Sequence, residues 1–117
     1  MSRVSKLYLE DILESCQNVR NYTDGLDYGT FAGGSKTIDA VVRNLEIIGE
    51  AVKNLSPEIR DSRPEIEWKN VARFRDIIVH HYFKVDLKIV WDVVENHVDK
   101  IAEAVREMIS DTETAQN

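Results

Sequence analysis

Apolar residues recur at helical spacing along most of the chain, and the pattern divides it into four amphipathic segments. Leu9, Ile12, Cys16 and Val19 predict a first helix over about residues 5–22, stopping before the turn-forming Thr23-Asp24-Gly25. Residues 23–35, ending in Gly33-Gly34-Ser35, read as a loop. Ile38, Val41, Val42, Leu45, Ile48, Val52 and Leu55 predict a second helix over 36–55. Gly49 sits inside that stripe, where a glycine costs about 1 kcal/mol relative to alanine. Close approach of another helix would account for it. Ser56 is placed to cap a short turn that begins at Pro57.

A third helix is predicted from Glu67 or Trp68 to His80 or His81, with Val71, Phe74, Ile77 and Ile78 as its core side. The fourth starts after Asp86, a plausible N-cap. Its apolar positions Leu87, Trp91, Val94, Val98, Ile101, Val105 and Met108 keep a heptad rhythm. Residues 110–117 read as a frayed, flexible tail behind a single domain over 1–109. Short connections between four helices imply an all-α, mostly antiparallel bundle. Val79 and Val90 lie outside the main stripes. Such a second apolar face fits a homodimer formed through helices, or simply a wider core.

Composition narrows the chemistry. The net charge of −6 argues against a broadly basic nucleic-acid-binding surface. One cysteine, Cys16, excludes an intrachain disulfide and fits a reducing, cytoplasmic setting; its apolar position makes it a core residue rather than a reactive thiol. No segment is apolar enough for a membrane span, and no metal-ligand or phosphate-loop motif is present.

The chemistry concentrates in residues 73–84, which hold two arginines and two adjacent histidines. At roughly 100° per residue, Phe74, Ile77, Ile78 and Val71 share a face that includes His81. His81 therefore reads as a core or rim residue, and His80, beside Asp76 and Arg73 on the polar side, as the chemical candidate. Asp76 lies four residues before His80, where a carboxylate can orient the ring; an ordinary exposed helix pair has the same spacing. Arg75 and His80 are five apart and do not share a face of a continuous helix. They converge on one ligand if the helix breaks near His80, if a second subunit supplies half the site, or if the arginine reaches round. Tyr82, two turns beyond Arg75, lies on nearly the same line as that arginine. Glu46 and Glu50 on the second helix read as partners of Arg43 and Lys53 in solvated salt bridges rather than as an acid–base pair.

Arg75-x4-His80-x-Tyr82 resembles the R-x4-H-x-Y signature of HepT toxins in the HEPN superfamily of helical ribonucleases. The segment from Ala40 to Ala51, AVVRNLEIIGEA, resembles that family's second helix, and VDLKIVW over 85–91 resembles the stretch after its motif. The likeness covers about residues 5–100. It implies a HEPN-type up-and-down bundle of four to five helices, dimerised so that two motifs face one cleft. It further implies a toxin that cleaves RNA, mRNA or tRNA, without a metal or other cofactor. Arg75 and His80 would be the catalytic pair, with Asp76 and Arg73 in support. The implied partner is an MntA-type nucleotidyltransferase antitoxin that uses ATP to attach AMP to Tyr82. Arg73-x6-His80 and Arg75-x5-His81 also satisfy the wider superfamily's looser spacing, and the tyrosine two residues after His80 selects Arg75 and His80. The competing class is a non-catalytic helical binding subunit of a nucleotidyltransferase complex, which the overall acidity favours. Lys69, Arg73, Arg75 and Lys84 nonetheless cluster around the motif with only Asp76 opposing them, which narrows any RNA contact to one local cleft.

Overall fold

The computed structural model describes residues 2–81 and 85–116, with side chains through residue 112. Among the described residues it is all-α, built from helices α1 (Arg3–Thr23), α2 (Tyr28–Ala32), α3 (Ser35–Lys53), α4 (Pro57–Asp61), α5 (Trp68–His80), α6 (Leu87–Asn96) and α7 (Val98–Gln116). α1 packs on both α3 and α7, and α3 carries α5 on another side.

The core is the set of stripes read from the sequence. Leu9, Ile12, Cys16 and Val19 of α1 meet Val41, Val42, Leu45, Ile48 and Val52 of α3, and all are buried. Val90, Val94, Val98, Ile101, Val105 and Met108 close the other side. Burial pushes the Cys16 thiol up to about 12, which leaves it a neutral packing group. Val90, outside the heptad, is also buried, so that part of the second apolar face is core.

Three local features differ from the sequence expectation. The segment 23–35 contains α2, one turn of helix capped by Asp27, whose carboxylate accepts from the Thr30 amide at 2.8 Å. Its Phe31 is fully buried, with its ring 5.0 Å from that of Trp91. Tyr28 meets the same indole edge-on. Ser56, by contrast, caps α4 as expected, accepting from the Ile59 amide.

The long fourth helix is jointed at His97 into α6 and α7. No proline or glycine stands at the joint. Arg20 of α1 donates 3.1 Å to the Val94 carbonyl, the acceptor that the Val98 amide would use in an unbroken helix, and also pairs with Asp99 at 2.9 Å. A side chain inserted into the ladder is a recognised cause of helix bending. The apolar stripe passes through the joint, since Val94 and Val98 both stay buried. α7 then continues to Gln116, into the segment that reads as a tail.

Candidate functional site

α5 has no side-chain N-cap, and its C-terminus is closed by His81, whose amide bonds to the Ile77 carbonyl at 2.9 Å. Ile78 is its fully buried anchor, and Trp68 secures its start by donating from its indole to the Arg63 carbonyl at 3.0 Å. Val71 and Phe74 are half-buried against the core. Ile77 is not a core residue, being 42% exposed, and His81 is exposed as the last turn ends. α5 rests chiefly on α3, and a groove of about 520 Å³ lies between its Val71–Phe74 side and Val93, Val98 and Ile101. That groove is lined by Phe74 and Val71 but by neither Arg75 nor His80.

The arginine of the motif is turned toward α3. A Cβ built on Gly49 would overlap the Arg75 Cβ and stand 2.8 Å from its Cγ and 3.3 Å from its Cα. The helix-interior glycine is therefore the contact point at which α5 is seated, and the close approach expected at Gly49 is with the motif arginine itself. The Arg75 guanidinium is then held by two carboxylates. One Nη donates to Glu50 at 3.0 Å and the other to Asp76 at 3.1 Å. Asp76 is shared with Lys53 at 3.2 Å. The Arg75 guanidinium, and after it the Lys53 ammonium, hold the Asp76 carboxyl below the usual carboxylate range. The guanidinium also borders a recess of about 210 Å³ whose other walls include Tyr8, Arg43 and Glu46.

His80 lies on the other side of α5. It is exposed, like Arg73, and the helix runs unbroken from Trp68 to His80. A break before His80 therefore does not bring the two catalytic candidates together. Asp76 pairs with Arg75 and with Lys53, both through Oδ1, rather than with His80. On the second helix, Arg43 pairs with Glu46 at 3.4 Å as anticipated. Glu50 and Lys53 instead reach across to α5. Their tertiary pairing is the feature that helical spacing alone misses, since a 3.6-residue period describes neighbours on one helix only. The Gly49 signal pointed to the right interface. Tyr82 lies outside the described residues, as does Lys84. Among the described residues, no group of three or more His, Cys, Asp or Glu side chains is arranged to hold a metal ion. Among them, too, no helix is long and apolar enough to cross a membrane.

Residues 12–108 match the family model described as Ribonuclease HepT-like. The chain belongs to this family of HEPN-type helical ribonucleases. It is similar to the Methanocaldococcus jannaschii protein named “Putative RNase MJ0127”, with 40% identity over 92% of this chain and 89% of the relative. It is 40% identical to the “Probable ribonuclease HepT” of Thermococcus cleftensis over 86% of this chain and 92% of that protein. A third relative, also from Methanocaldococcus jannaschii and named “Gamma-glutamylcyclotransferase and putative RNase MJ0434”, is 38% identical along the whole chain, which spans 53% of its length. No solved structure matches the chain.

Proposed function

We propose that this ribonuclease is the toxin of a cytoplasmic toxin–antitoxin pair, that it cuts single phosphodiester bonds of mRNA or tRNA without a metal ion, and that Arg75 and His80 carry the reaction. The observation behind this reading is the R-x4-H-x-Y motif in a chain similar to named ribonucleases along nearly its whole length. An exposed imidazole can accept the proton of an RNA 2′-hydroxyl near neutral pH. The freed 2′-oxygen bonds to phosphorus, the bond to the 5′-oxygen breaks, and a second imidazole returns a proton to that leaving oxygen. The ends formed are a 2′,3′-cyclic phosphate and a 5′-hydroxyl. Arg75, always cationic and planar, stabilises the charge that builds on the phosphorane oxygens.

A homodimer supplies what one chain lacks. On a continuous α5, Arg75 faces α3 while His80 faces solvent, so a cleft containing both groups draws on two copies. Ile77, exposed at 42%, lies within the motif beside the His80 side of α5 and gives such a contact apolar surface.

Control falls to Tyr82. An MntA-type nucleotidyltransferase would join the phenolic oxygen to the α-phosphorus of ATP with release of pyrophosphate, leaving a bulky anionic AMP beside the cleft. Its phosphate competes with RNA for the arginine. Intact mass after co-expression tests this step: one or more AMP increments are expected, and increments that persist in Tyr82→Phe would refute it.

The second reading, a non-catalytic binding subunit of the nucleotidyltransferase, is favoured by the two carboxylates that already occupy Arg75. One assay separates the two. The wild-type chain in EDTA should convert RNA to fragments ending in cyclic phosphate, and His80→Ala should not. An inactive wild-type chain, or equal cleavage by the variant, would count against the catalytic reading.

A further inference from the structure

Among the described residues, the basic side chains around the motif do not form one cluster. Arg75 is taken out of it, packed on Gly49 and paired with Glu50 and Asp76. What remains is a line. Lys69, Arg73 and His80 are four and seven residues apart, so at 100° per residue they fall within one narrow stripe of α5. All three are exposed. The stripe's carboxylate, Asp76, is compensated by Arg75 and by Lys53 of α3, and with Glu50 these four side chains carry no net charge. In a chain of net charge −6 this is a local reversal of sign.

We infer that the Lys69–Arg73–His80 line is a track for the sugar–phosphate backbone of a single-stranded RNA, which runs from His80 toward the N-terminal end of α5. The inference rests on the ribonuclease reading and adds to it the path and the strandedness of the substrate. Lys69 and Arg73 stand about 6 Å apart along the axis, and Lys69 and His80 about 16 Å. The first spacing is comparable with one backbone step of an extended strand. The line therefore holds phosphates on one side of the one that His80 addresses, Arg73 about two backbone steps away and Lys69 about three. Single-strandedness follows from the chemistry. Attack by a 2′-oxygen needs that oxygen opposite the leaving 5′-oxygen, an alignment the A-form duplex prevents and a free strand reaches by rotation. An exposed ridge of cations along one helix also suits a strand whose backbone can follow it.

The test is binding of a short, unstructured, fluorescent 2′-O-methyl oligoribonucleotide, which lacks the nucleophile and stays intact on the wild-type chain. Affinity is followed against salt. Lys69→Gln and Arg73→Gln should each weaken binding several-fold at low salt and reduce the slope of log K against log salt by about 0.7, the value for one single-strand phosphate contact. Lys36→Gln, which removes an equal charge at the far end of α3, should leave both unchanged. Slopes for the Lys69 and Arg73 variants equal to that of Lys36→Gln would overturn the track. Tighter binding of a duplex of the same length would overturn the single-strand assignment. If the wild-type chain neither binds this strand nor cuts its ribose counterpart, the ribonuclease reading fails as well. Cleavage that persists with unchanged slopes removes the track alone.

Discussion

α5 meets α3 through Arg75 and is anchored in the core by Ile78, whereas Lys69, Arg73 and His80 on another side meet solvent. The first side is defined by fit. A glycine admits the backbone of the opposing helix, one aliphatic residue is fully buried, and the guanidinium is fixed by carboxylates from two helices. The second side is defined by charge and access, with cations and an imidazole that make no packing commitment. One short motif thus places its arginine in a structural environment and its histidine in a chemical one. Damage to the two sides should therefore separate stability from activity.

The largest expected effects are on cleavage. His80→Ala should lower the rate at least about 100-fold while changing stability by less than about 0.5 kcal/mol, as an exposed helix-end substitution. Arg75→Ala should lower the rate by about 100- to 1000-fold and also cost about 1 kcal/mol, because Glu50 and Asp76 lose their shared cation. Thermal melts beside a cleavage assay check the contrast, and equal melting shifts for both variants would break it. Next comes Gly49→Ala. Its methyl has no room beside Arg75, so a loss of about 1–3 kcal/mol is expected, together with reduced cleavage by an intact motif. A stable, fully active Gly49→Ala chain would show that the seating of α5 does not govern the arginine.

The smallest effect is a pH dependence. The Asp76 carboxyl is held low in the folded state, so its contribution to stability is present above the ordinary carboxylate value and lost as pH falls through the lowered one. The stability gap between wild type and Asp76→Asn should therefore be constant near neutrality and shrink below about pH 4. Urea melts at several pH values would measure it, and a gap that widens on acidification would contradict the pairing.

Much of this arrangement was legible in the sequence. Buried stripes on α1, α3 and the jointed α6–α7 pair follow directly from apolar period, because each buries one face against its neighbours. Gly49 announced a helix contact, since nothing else repays a glycine there. Short-range reading failed where the decisive partner is distant in sequence. Arg20 reaching Val94 makes the joint, Phe31 finding Trp91 makes a helix of the 23–35 segment, and Glu50 and Lys53 turn from their own helix to α5. For the candidate site, the motif pointed to Arg75 and His80, but only the packing of α5 shows that one chain holds them on different sides.

That separation carries the central claim, that a working cleft is assembled from two copies of α5. It is tested by mixing two inactive proteins, Arg75→Ala and His80→Ala, under conditions where subunits exchange. Cleavage should return in part in the mixture and be greatest near equal amounts, because only mixed dimers place an intact arginine opposite an intact histidine, with water protonating the leaving oxygen in place of the missing second imidazole. Mixtures that exchange subunits yet remain as inactive as their components at every ratio would contradict it.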